Sequence, residues 1–247
     1  MAKPTQLKNP PVREALVDIR AAGVEKLAAR LEEARALLGD AYPNSIEQRR
    51  FEGMFQVSGG TLAPPVAQVG FNGYRFTSAD GLDIAQFRID GFTYNRLSPY
   101  PDGGGEAVVR EALRLWEIYV KVAEPVLVSR VAMRYINAVP LPAGKAPQIY
   151  LEQWLRPPAG SPPVLADFLW RTRTANPETK EQLVTAVALE SSTDLATRTL
   201  LIDIDAFSVR DYSPDPEDLR QALAGLRTLK NAAFFGIIGD ELVRLCS

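Results

Sequence analysis

Histidine is absent from this chain of 247 residues. That removes the commonest general base, the Ser-His and Cys-His nucleophile pairs, and histidine-ligated zinc. Cysteine occurs once, as the penultimate residue Cys246, so an internal disulfide is excluded and a reducing, cytoplasmic setting is expected. No apolar run approaches the roughly 20 residues needed to span a bilayer. The opening residues, Met1 to Gln6, carry no apolar stretch, and no signal peptide is expected. Charge of one sign is not in excess either. A formal net charge of -2 gives no electrostatic footprint for nucleic acid, so the expected partner is a protein or a small ligand. A homodimer stays open. The chemistry that remains belongs to carboxylates, Lys, Tyr and Arg. No cofactor is expected, and any protein-held metal would be a hard ion such as magnesium on Asp or Glu oxygens.

What is present reads as an α+β protein. With 46% hydrophobic and 23% charged residues the chain can bury a sizeable core. Val12 to Arg20 alternates as a half-buried strand, with Ala15, Val17 and Ile19 on one face and Asp18 and Arg20 on the other. Gly23 stops it. Apolar spacing predicts a helix over Val24–Leu38, stopped by Gly39. Strands are expected over 46–58, Gln68–Thr77, Leu82–Asp90 and Phe92–Leu97, with a loop at Gly59-Gly60 to Pro64-Pro65, a hairpin turn at Ser78–Gly81 and a bend at Gly91. A helix follows over Glu106–Val122. The second half repeats this order: a long strand Val126–Val139, a short helix near 147–155, and strands over Leu165–Thr174, Gln182–Glu190 and Arg198–Phe207. A last helix starts near Pro216, capped by Ser213 or Asp215, and breaks at Gly236 or Gly239.

The strongest strand signal is Leu200–Phe207, and Phe87–Phe92 reads as its faint copy. At an offset of about 115, Ile89, Asp90, Phe92, Ser98 and Pro99 meet Ile204, Asp205, Phe207, Ser213 and Pro214. The expectation is an internal duplication, residues 1–124 and 125–247, forming one unit. Each repeat would be a curved antiparallel sheet on a long helix, β-α-β(3-4)-α, in the manner of TATA-box-binding-protein-like or helix-grip folds. Such a likeness concerns fold alone.

Candidate site residues follow from the period of two. Asp203 and Asp205 share one strand face, and so do Arg130 and Arg134. Two carboxylates on a strand can hold magnesium for phosphoryl or nucleotidyl transfer. However, D-x-D motifs of that kind open their domains, and here the pair comes late. Cross-strand Arg–carboxylate pairing, with Asp18 and Arg20 against Arg88 and Asp90 in the first half, explains all eight residues as a charge ladder. A third reading is a ligand groove in the sheet lined by Arg130, Arg134, Tyr135, Asn137, Asp203 and Asp205, with the arginines suited to an anion. Gly103-Gly104-Gly105 before a helix could receive a phosphate but lacks the Gly-Lys-Ser/Thr ending of a P-loop. Lys230-Asn231 followed by Phe234-Phe235 combines polar and aromatic groups in one turn of helix.

Several stretches in order resemble a known family. They are Asn9-Pro10-Pro11-Val12, Ser98-Pro99-Tyr100, Trp116, Arg130, Arg134–Asn137, Leu141-Pro142, Asp203–Asp205, Lys230-Asn231 and Phe234-Phe235. Together they are similar to a sporadically distributed family of uncharacterised bacterial and archaeal proteins of about 250 residues. The resemblance implies no activity, cofactor or catalytic residue. Its distribution implies an accessory role, such as a defence or toxin–antitoxin component.

Overall fold

The computed structural model describes residues 5, 7–22, 27–54, 57–58, 61–62, 66–142, 145–154, 157–162, 165–190 and 198–247. The expected features at Gly23, Gly59-Gly60 and Pro64-Pro65 lie outside these residues. In chain order the elements are β1 (Val12–Ala22), α1 (Leu31–Leu38), β2 (Asn44–Met54), β3 (Val57–Ser58), β4 (Thr61–Leu62), β5 (Val66–Thr77), β6 (Asp83–Arg88) and β7 (Gly91–Leu97). They continue with α2 (Gly104–Ala123), β8 (Leu127–Leu141), β9 (Phe168–Ala175), β10 (Glu181–Leu189), β11 (Arg198–Tyr212), α3 (Pro216–Ile237) and α4 (Asp240–Leu245). Where a short helix is expected near 147–155, a 3₁₀ turn spans Pro147–Tyr150.

Nine strands form one sheet in the order β2-β5-β6-β7-β1-β8-β11-β10-β9, antiparallel throughout. The two strands that open the halves, β1 and β8, are paired from Val12↔Asn137 to Ala22↔Leu127. The sheet therefore runs unbroken across the expected boundary near residue 124.

Alternation decides which residues face the helices. Ala15, Val17 and Ile19 of β1 are fully buried beneath α2, and Leu16, Asp18 and Arg20 turn to the opposite face. On α2 the expected apolar stripe packs as an aromatic cluster. Trp116 and Tyr119 stack with ring centroids 5.1 Å apart, and Phe92 meets Trp116 edge-on. Each such ring contributes about 2–3 kcal/mol on burial. Helix α3 packs beside α2 against β8 and β11. Its cap is Asp215, whose carboxylate accepts from the Glu217 N–H at 2.7 Å. The helix ends at Ile237, and Gly239 then donates to the Tyr150 carbonyl before α4 begins. Among the described residues no helix is long and apolar enough to cross a membrane.

Two expectations are corrected. The helix over Val24–Leu38 is shorter: Leu27–Ala29 form a 3₁₀ turn and α1 starts at Leu31. Arg30 holds the break, with a non-helical backbone and a guanidinium tied to the Lys121 carbonyl and the Glu124 carboxylate at the end of α2. The second correction concerns the copy of Asp205. Ile89 and Asp90 form the two-residue turn joining β6 to β7, whereas Ile204 and Asp205 lie mid-strand in β11. Gly91, at φ +137, opens the way into that turn, and Ala206 at the aligned position stays extended in its ladder.

Candidate functional site

Six sequence-selected residues separate onto two faces. On the face away from the helices, Arg134 grips Asp203 with two bonds, Nε–Oδ1 at 2.9 Å and Nη2–Oδ2 at 2.6 Å. Arg130 reaches in two directions, donating to Asp18 at 2.8 Å and to Asp205 at 3.3 Å, with its guanidinium 4.5 Å over the Phe207 ring. Asp18 also accepts from Arg20, Arg88 and Thr93. Asp90 accepts from Arg88 and Arg20. All eight expected ladder residues thus take part in ion pairs. Arg130 links the Asp18 cluster to β11, a link between halves that separate ladders would not contain.

Burial and charge compete differently at the two inner acids. Burial works to raise the Asp18 carboxyl, but Arg88 and Arg20 outweigh it and hold the group below its ordinary range. At Asp205 burial wins over Arg130 and Arg134, so that carboxyl sits above its ordinary value. Its Oδ1 is buried with no hydrogen-bond partner among the described residues. Among those residues no cluster of three or more acids or cysteines is arranged to hold a metal ion.

Tyr135 and Asn137 occupy the other face, because they alternate with Arg134 and Ile136 along β8. There they line a cavity of about 460 Å³ between the sheet, the first turn of α2 and α3. Pro10 and Pro11 form part of its wall, as do Gly103 and Gly104, Tyr100 and the Lys230–Phe235 turn of α3. Tyr135 is buried and its hydroxyl accepts from that of Tyr100 at 3.2 Å. Burial keeps both phenols protonated well past neutrality. Asn137 is anchored by donating to the Ile202 carbonyl at 3.0 Å. Glycine at 105 lets the start of α2 close on the tyrosines: a Cβ there would stand 3.3 Å from the Tyr100 hydroxyl and 3.4 Å from that of Tyr135. Gly103, the residue before α2, offers the helix no side-chain cap.

Two lysines line this cavity, the exposed Lys8 and the partly buried Lys230. The Lys230 Nζ lies 3.6 Å from the centroid of the Tyr135 ring. Burial, helped by the nearby Arg227 charge, pushes its pKa down to about 8. Arg227 itself is paired with Glu106 of α2. Among the described residues no carboxylate forms an ion pair with Lys230.

Sequence spacing groups Tyr135 and Asn137 with Arg130, Arg134, Asp203 and Asp205 and leaves the triple glycine and Lys230-Asn231 apart, so it does not assemble this cavity. It missed Tyr100 as a site residue. Residues from Asn9–Val12, Ser98–Tyr100, Lys230-Asn231 and Phe234-Phe235, stretches already distinctive in the sequence, meet at this cavity. No family model, curated protein or solved structure matches the chain.

Proposed function

We propose that the protein is a binding protein whose small-molecule site is the cavity between β8, the start of α2 and the C-terminal half of α3. The observation that carries this reading is convergence. Tyr100, Tyr135, Asn137, Lys230 and Asn231 come from distant parts of the chain and line one cavity. Its volume of about 460 Å³ falls in the range of small-ligand sites, and its wall sets aromatic rings beside several polar groups that could orient a ligand. The site therefore lies on the helix side of the sheet, opposite the Arg130 and Arg134 groove. The arginine-bound state of Asp203 supports the charge-ladder reading of that other face over magnesium chemistry. An accessory role of the kind the family resemblance implies would use such a site to sense or carry a metabolite.

We also infer a duplicated origin and a TATA-box-binding-protein-like arrangement. Support comes from the strand order, in which β7-β1 and β8-β11 flank the central β1–β8 pair and α2 and α3 each follow the inner hairpin strand. The turn at Asp90 limits the correspondence to elements and excludes the residue-by-residue copy of Asp205.

Saturation-transfer NMR with a fragment library tests the cavity reading. Asn231→Trp, an exposed position on α3, would fill the cavity mouth. Fragments that bind the wild type should be lost from this variant. Fragments that bind both proteins equally would move the site elsewhere.

A further inference from the structure

A charged amine in a cavity wall is costly unless something compensates it. Lys230 has an aromatic face beneath it, a paired arginine beside it and no carboxylate bonded to it among the described residues. The charged groups around the cavity are Lys8, Asp102 and Lys230, with Arg227 and Glu106 satisfied by each other. Asp102 is exposed on the rim and forms no ion pair with Lys230. The start of α2 brings the positive end of a 20-residue helix to the same wall, with the Gly104 N–H itself bonded to the Pro101 carbonyl. The Tyr135 hydroxyl, which accepts from Tyr100, adds a neutral donor. Beside Lys230 the wall offers the neutral Asn137 and Asn231 amides and the tyrosine hydroxyls, and among the described residues no carboxylate is paired with its ammonium.

We propose, resting on the cavity reading above, that the ligand is a small organic anion. Its carboxylate or phosphate faces Lys230, the tyrosine hydroxyls and the first turn of α2, and its apolar body lies against Phe234, Phe235, Pro10 and Pro11. Lys230 supplies the charge that selects the ligand. The helix start adds to the same sign of potential and could not select a ligand alone.

Calorimetric titration with benzoate, phenyl phosphate and the neutral benzyl alcohol tests this on wild type, Lys230→Met, Lys230→Arg and the remote control Lys180→Met. At least one anion should bind wild type at least 10-fold tighter than benzyl alcohol. Lys230→Met should lose at least 10-fold for that anion, with Lys230→Arg and Lys180→Met within about 3-fold of wild type. Tyr100→Phe, which keeps the ring, should weaken the same anion and serves if Lys230→Met does not fold. Benzyl alcohol binding as tightly as the anions, or an anion indifferent to Lys230→Met and Tyr100→Phe, would overturn the anion proposal and leave the cavity reading standing. No binding by any of the three, with no fragment hits at the cavity, would overturn both.

Discussion

Arg130 and Asp18 stand 2.8 Å apart across the β1–β8 pair, on the face of the sheet away from the helices. The contact ties the first strand of one half to the first strand of the other. Arg130 also meets Asp205, so one guanidinium serves carboxylates on both of its neighbouring strands. Removing it leaves Asp18 and Asp205 under-compensated in a largely buried network. Arg130→Met should cost about 2–4 kcal/mol in urea unfolding. A loss below about 0.5 kcal/mol would mean that the bridge is cosmetic.

The two acids beside Arg130 should answer pH in opposite senses. Asp18 is held below its ordinary value of 3.8, so its stabilisation is present above that value and disappears as pH falls through the lower folded value. The gap between wild type and Asp18→Asn should be widest near pH 7 and close as pH falls below about 4. Asp205 is raised above 3.8, so the cost to folding grows as pH rises past 3.8 and is complete above its folded value. Asp205→Asn should therefore keep or gain stability at pH 7. A marked loss in Asp205→Asn at pH 7 would show that its charge helps hold the sheet.

Gly91 is demanded by backbone contact. At φ +137, a Cβ would fall 2.1 Å from the Ile19 carbonyl oxygen, inside the β1–β7 ladder. No rotamer relieves a clash with backbone. Gly91→Ala should cost at least about 3 kcal/mol or prevent folding. Gly105→Ala meets only side-chain hydroxyls and arginine carbon and gains helix propensity, so it should fold and act mainly on the tyrosine pair. Equal stability losses in the two variants would contradict this distinction.

Lys230 makes the apo protein less stable than it could be. Its folded value near 8 lies below the ordinary 10.5, so the cost is fully present below pH 8 and fades as pH rises from 8 to 10.5. Lys230→Met should raise stability at pH 7 by about 1–2 kcal/mol, discounted because the side chain is only half-buried. That corresponds to roughly 2–4 °C in Tm per kcal/mol for a chain of this size. The advantage should shrink toward pH 10.5. A Lys230→Met protein less stable than wild type at pH 7 would mean that the contact with Tyr135 outweighs desolvation.

Local pattern carried much of this architecture. The faces of β1, the apolar stripe of α2 and the start of α3 at Asp215-Pro216 follow from spacing and capping chemistry that a single segment contains. The charge ladder was legible too, because the period of two fixes which acids and arginines share a face. The same rule separates Tyr135 and Asn137 from Arg130 and Arg134, against the single groove expected for all six. What spacing could not supply was the meeting of segments far apart in the chain. The cavity exists because β1's leading prolines, the glycines before α2 and the last turns of α3 pack at one place. The Arg30 break and the Asp90 turn were likewise hidden, since one depends on the end of α2 and the other on the close approach of β1.

The most direct measurement is a ¹³C NMR titration of the Lys230 Cε resonance, with and without the anion that calorimetry finds tightest. An apparent pKa near 8 is expected in the free protein, with an upward shift of at least one unit on saturation, because a bound anion stabilises the ammonium. A free-protein value near the ordinary 10.5, or a value unmoved by the anion, would contradict this expectation.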